Sequence, residues 1–223
     1  KHWCPTISSV DFLGGRELRF EEDHRPTITF VVGEDEYKTE QSLPEFAAKH
    51  LGKEFRVHFV FSSEANKYDF PGLEAIDQAD VLLISVRRRV LPPEQLERIR
   101  KFIAAGKPVV GIRTASHAFA LRADMPAVAG TAGWPTFDPD VLGGHYTGHH
   151  GEGPAVTVTA AANAAGHPIL EGVDLAQLTG RGSLYKTAPL AESAQPLLFG
   201  SIPDQPAEPL AWTNVNQHKG RVF

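Results

Sequence analysis

The chain has 223 residues, 42% hydrophobic and 22% charged, enough to bury one substantial α/β core. Its formal net charge of -5 argues against nucleic-acid binding, which needs a clustered basic surface, and Arg87-Arg88-Arg89 is the one basic run. No stretch reaches the roughly 18–20 consecutive apolar residues of a membrane-spanning helix, and the lone cysteine, Cys4, excludes an internal disulfide and any zinc-finger spacing.

In chain order, residues 1–26 show no period and are expected to form an irregular arm ahead of an α/β domain over 27–223. Thr27–Val32 is β-branched and reads as a strand ending at Gly33. Thr39 or Ser42 can cap the next helix, which presents Leu43, Phe46, Ala47, His50 and Leu51 on one face, carries Pro44 in its first turn, and stops at Gly52. Phe55–Phe61 alternates, which predicts a strand near a sheet edge with Phe55, Val57, Phe59 and Phe61 on its buried face. Asp80–Val86 is continuously apolar, as a central strand covered on both sides must be. Pro92 and Pro93 open a helix with Leu96, Ile99 and Ile103 at helical spacing, closed by Gly106 and Pro108. Val109–Ile112 then reads as a strand turning sharply into a further helix near Ser116.

The second half changes character. Pro154–Ala162, Pro196–Gly200, Leu210–Asn214 and Arg221–Phe223 are short strand candidates between Gly/Pro-rich turns, so an antiparallel extension of the same sheet is expected. The chain begins at Lys1 rather than Met and stops within a strand-like run. The expectation is therefore a leader removed or left out and a continuation beyond Phe223, with the compartment open between cytoplasm and export and a homo-oligomer equally open.

Ligands of an open parallel sheet sit outside the carboxyl ends of its strands. Delivered there are Glu34 to Tyr37, Arg87 to Arg89, and Arg113, Ser116 and His117, a set suited to a polar or anionic small molecule. A strand-to-helix turn of this kind often mounts a nucleophile, yet here it carries Arg113. A second constellation lies in Gly143-Gly-His-Tyr-Thr-Gly-His-His150, with Glu152 and Asp138 or Asp140 nearby. His145 and His149 stand four apart, as zinc ligands do on a helix, but the surrounding glycines argue for a loop.

Taken together, Ala79–Val86, the helix ending Ala-Gly-Lys-Pro108, Val109–His117, the Gly143–His150 loop, His167-Pro-Ile169 and Leu210–Thr213 leading to Phe223 resemble the ThuA-like (trehalose-utilisation) family of the class I glutamine amidotransferase-like superfamily. The resemblance implies a flavodoxin-like, mostly parallel sheet with helices on both faces and a role in carbohydrate metabolism. It also implies that glutamine hydrolysis is absent, since amidotransferases need a cysteine where Arg113 stands and arginine cannot form the thioester.

The resulting expectation is an enzyme acting on a carbohydrate, trehalose-like or a keto-sugar, by histidine acid/base chemistry. His145, His149, His150 and His117 are its catalytic candidates, and Arg113, Ser116, Tyr146, Glu34 and Arg87 its substrate-binding candidates; a buried polar pocket between Arg113 and the histidine loop would support an enzyme, a filled apolar core would end the catalytic readings. No cofactor is assigned. The alternatives are a non-catalytic carbohydrate- or partner-binding module, and a metal-dependent hydrolase or lyase using His145, His149 and an acidic partner.

Overall fold

A computed structural model describes residues 23–180 and 182–223; most of the expected N-terminal arm lies outside them. In chain order the elements are β1 (Thr27–Gly33), α1 (Thr39–His50), β2 (Arg56–Phe61), β3 (Val81–Val86), α2 (Pro93–Ala104), β4 (Val109–Gly111), β5 (Gly148–His149), β6 (Val156–Ala160), β7 (Thr179–Gly180), β8 (Tyr185–Lys186), β9 (Gln195–Ser201), β10 (Glu208–Val215) and β11 (Arg221–Val222).

One nine-stranded sheet runs β2-β1-β3-β4-β11-β10-β9-β6-β7. From β2 to β11 all neighbours are parallel, and from β11 onward they are antiparallel. This is the mixed sheet expected from the two halves of the sequence. β1, next to the edge strand β2, has every residue buried, because it is paired on both sides and carries apolar or β-branched side chains on both faces. Alternation along it feeds two cores. Ile28, Phe30 and Val32 meet Leu43 and Ala47 of α1, whereas Val31 joins Leu96, Ile99 and Ile103 of α2. The helices therefore cover opposite faces, and both leave the rim at the carboxyl ends of β1, β3 and β4 uncovered. β5 and β8 form a separate two-stranded ribbon above that rim.

Several local expectations are corrected. α1 starts at Thr39 after Lys38 in the left-handed region (φ 55°), with no side-chain cap, so Pro44 lies in the second turn. Phe46 flanks the Leu43/Ala47 stripe, stays 47% exposed and packs against His50 instead of the sheet. On the edge strand β2, Val60 is the buried residue and Phe61 is exposed, since a strand with one neighbour buries little of its outer end. The helix expected from Ser116 is a single 3-10 turn, Arg113–His117. Its continuation is blocked because the His117 and Ala118 carbonyls accept the N–H groups of Arg88 (3.1 Å) and Arg89 (2.7 Å). Those acceptors are the ones a following helical turn would use.

Candidate functional site

The elbow after β4 places Arg113 at φ 40°, a left-handed conformation that costs a non-glycine residue free energy and concentrates at functional sites. Its guanidinium packs on the rings of Tyr37 (4.7 Å) and Tyr185 (4.2 Å). Nη2 donates to the Ser183 carbonyl at 3.2 Å. The chain can approach so closely because residue 182 is glycine; a Cβ there would lie 3.3 Å from Nη2. No carboxylate pairs with Arg113 among the described residues.

His117 is buried one turn further on. Its Nδ1 is 3.1 Å from Ser116 Oγ, and its ring packs on Tyr146 at 4.6 Å. Burial, then the field of Arg88, Arg87, Arg122 and Arg113, pushes its pKa down to about 3, so the imidazole is neutral near neutral pH. Tyr146 and Tyr185 lie 4.6 Å apart, and burial raises the Tyr185 phenol above its ordinary value despite the adjacent Arg113. Three of the chain's four tyrosines, Tyr37, Tyr146 and Tyr185, thus meet at the elbow.

The flanking loops are tied down by charge. Glu34 is buried and accepts four hydrogen bonds, from the N–H groups of Glu36, Tyr37 and Thr39 and from the Thr39 hydroxyl. Burial opposes its ionisation, but these donors together hold its pKa below the ordinary value. Its oxygens hold the loop instead of facing the rim. Arg87 pairs with Glu36 at 2.7 Å and Arg89 with Asp35 at 2.5 Å. Among the described residues the Arg88 side chain, at φ 53°, hydrogen-bonds the Ala120 carbonyl, at 3.4 Å, and no carboxylate.

The histidine loop follows a π-helical turn, Asp138–Leu142, that ends at Gly143 with φ 81°. A Cβ on residue 143 would lie 2.6 Å from Asn214, so both the turn and the packing require glycine. Asp138 is buried; its Oδ2 accepts the Tyr146 N–H at 2.8 Å and sits 3.2 Å from His145 Nδ1. Burial raises its pKa against the pull of that N–H and of His145. The His145 side chain is 59% exposed, so Nε2 is left towards solvent. His149 is exposed with Nδ1 2.9 Å from the His150 carbonyl, and β5–β8 pairing sets it opposite Tyr185. His150 instead turns inward: it is buried, with Nε2 3.6 Å from Glu208 Oε1, while the other Glu208 oxygen accepts the N–H groups of Thr187 and Ala188.

The loop histidines therefore part company, and no group of three or more His, Cys, Asp or Glu is placed to hold a metal ion among the described residues. Tyr185 packs on the Arg113 guanidinium at 4.2 Å, with its ring 6.5 Å from that of His149. A cavity of about 410 Å³ lies beside the elbow. Arg113, Ser116, Ser183 and Tyr185 contribute polar lining, Ile112, Leu142 and Trp212 are among its apolar walls, and none of His145, His149 and His150 lines it.

The same fold occurs in a ThuA-like protein of Bacteroides uniformis, at TM-score 0.59 and 15% identity over 87% of this chain and 80% of that one. A ThuA-like protein of Parabacteroides merdae matches at TM-score 0.54 and 15% identity, over 89% and 78% of the two chains. This chain has a ThuA-like fold. No protein-family model and no curated protein sequence matches it. Within the ThuA-like sheet the rim joins Arg113, Ser116, His117 and Tyr146 with Tyr37 and Tyr185, and sets His145 on Asp138 beside them. Tyr185, Ser183 and Glu208 escaped sequence reading. The one available signal for Tyr185 was the scarcity of tyrosine; Ser183 and Glu208 sit in segments without period or motif. No helix of the described residues is long and apolar enough to cross a membrane.

Proposed function

We propose that this ThuA-like chain is a small-molecule enzyme of carbohydrate metabolism that moves a proton with His145 and lacks glutamine amidotransferase activity. The pairing of His145 with Asp138 carries the reading. A carboxylate on Nδ1–H fixes the tautomer and leaves the Nε2 lone pair outward as a general base. Proton uptake at Nε2 then creates an imidazolium beside the Asp138 carboxylate, and each charge favours the ionised form of the other. His117, neutral and packed against Tyr146, serves as a hydrogen-bonding wall, and Arg113 offers fixed positive charge to a developing alkoxide or enolate. The tyrosine faces suit the C–H face of a sugar ring while their hydroxyls meet its polar edge. The carbohydrate class itself rests on the resemblance to ThuA-like proteins.

The test is a turnover screen of the purified chain against disaccharides and their keto forms, followed by His145→Gln and Asp138→Asn on each responsive substrate. Both should lower kcat, His145→Gln by about 10²–10⁴-fold, with KM little changed. Wild-type rates in His145→Gln would overturn the assignment. The arginine in a nucleophile's place favours a second reading, a binding module without catalysis. Saturable sugar binding with no turnover of any substrate would select it.

A further inference from the structure

The cavity beside the elbow has a chemistry different from the rim. At about 410 Å³ it lies in the roughly 300–1,000 Å³ range of small-molecule sites. Its floor is the face of β4, β11 and β10, its wall Leu142 and Leu184, and its lining is mostly apolar. A polyhydroxylated sugar would leave most of its hydroxyls unbonded there, and each would cost free energy. Yet Arg113, a permanent cation without a carboxylate partner among the described residues, belongs to the same lining, together with the hydroxyl residues Ser116 and Ser183. Arg113 is held in place by a left-handed backbone, two tyrosine rings and the Ser183 carbonyl, and it remains exposed as a residue. A rigid, accessible guanidinium at the edge of an apolar hollow recognises a planar anion carrying an apolar body.

We infer that this cavity is a binding site for a small amphipathic carboxylate, its anionic head on Arg113 and its apolar chain or ring against Ile112, Leu142 and Trp212. The site is separate from the proton-transfer reading of His145, which does not line the cavity. Arg113 and Tyr185 belong to both, so occupancy of the cavity changes the surroundings of the rim substrate. An amphipathic carboxylate here is either an effector or one part of a conjugated substrate whose other, polar part reaches His145.

Calorimetric titration of the full chain with octanoate, octanol and glucose tests this. Octanoate should bind saturably, octanol roughly tenfold more weakly or worse, as expected when a charge-assisted hydrogen bond is lost, and glucose not in this cavity. Arg113→Gln should bring octanoate down to the octanol level. Ala211→Phe, which fills the cavity from β10, should weaken both. His145→Gln should leave octanoate binding unchanged even where it abolishes turnover, so the two readings fail separately. Absence of saturable octanoate binding, equal affinity for acid and alcohol, or indifference to Arg113→Gln would each overturn the inference. Arg113 is exposed, so its substitution spares the core if Ala211→Phe does not fold.

Discussion

Replacing His117 with asparagine removes a buried titratable group while keeping a hydrogen-bonding side chain beside Ser116. In the folded chain the His117 pKa is about 3, against roughly 6.5 when unfolded. Between those values the unfolded state binds the extra proton, so stability falls as pH falls. The contribution is fully favourable above about pH 6.5 and is lost at about 1.4 kcal/mol per pH unit below it. From pH 7.5 to pH 5.0 the loss comes to about 2 kcal/mol, and any folded value below about 4 gives nearly the same figure. Asp138 works in the opposite direction, since a raised carboxyl pKa stabilises at low pH and fades as pH rises; it is present in both proteins and cancels in the difference. Urea unfolding of wild type and His117→Asn at several pH values isolates the histidine. Asparagine should be less stable at pH 7.5 because ring packing on Tyr146 is lost, and the gap between the two proteins should close by about 2 kcal/mol at pH 5.0. A gap independent of pH, or a His117 resonance titrating near 6.5, would refute the reasoning.

Two further substitutions probe the frame around the site. Glu208→Ala removes the acceptor of the buried Thr187 N–H and of the Ala188 N–H and leaves His150 facing an empty space. It should cost about 2–4 kcal/mol in urea unfolding, whereas Glu208→Gln, which keeps an acceptor, should cost clearly less. Gly143→Ala forces alanine into φ 81° and puts its Cβ 2.6 Å from Asn214. A loss of at least about 2 kcal/mol is expected, together with lower activity, because the same turn aims Asp138 at His145.

The parallel half was legible because its signals are local and redundant. Asp80–Val86 can be buried on both faces only as a central strand, and Pro93 with Gly106 brackets α2 from both ends. The site was legible only in part. Arg113 follows an apolar strand, so its place at the elbow could be read from the chain. That its guanidinium would rest on Tyr37 and Tyr185 could not, because β5–β8 pairing brings Tyr185 across from a part of the chain without pattern. His145, His149 and His150 look equivalent in sequence. They diverge because period-two geometry sends one inward to Glu208 while Asp138, fixed by the π-helical turn, selects another. The missing helix after Ser116 has the same lesson: its carbonyls were taken by Arg88 and Arg89, a partnership made across the sheet.

The two-residue strand β11 has a consequence for the order of assembly. Among the described residues it is the link in the hydrogen-bonded ladder between the parallel and antiparallel halves, with Val222 beside Val109 on one edge and beside Asn214 on the other. Closing the Val109–Val222 contact loops about 110 residues, an entropy cost met only after local pairings exist. The parallel strands up to β4 and the β9–β10 hairpin can form first, each from contacts close in sequence, and β11 then zips them together late. The elbow lies at that seam. Gly111 donates its N–H to the carbonyl of Phe223 at 2.7 Å, so amide-exchange protection of Gly111 should report when the two halves have joined, and with them the two sides of the cavity.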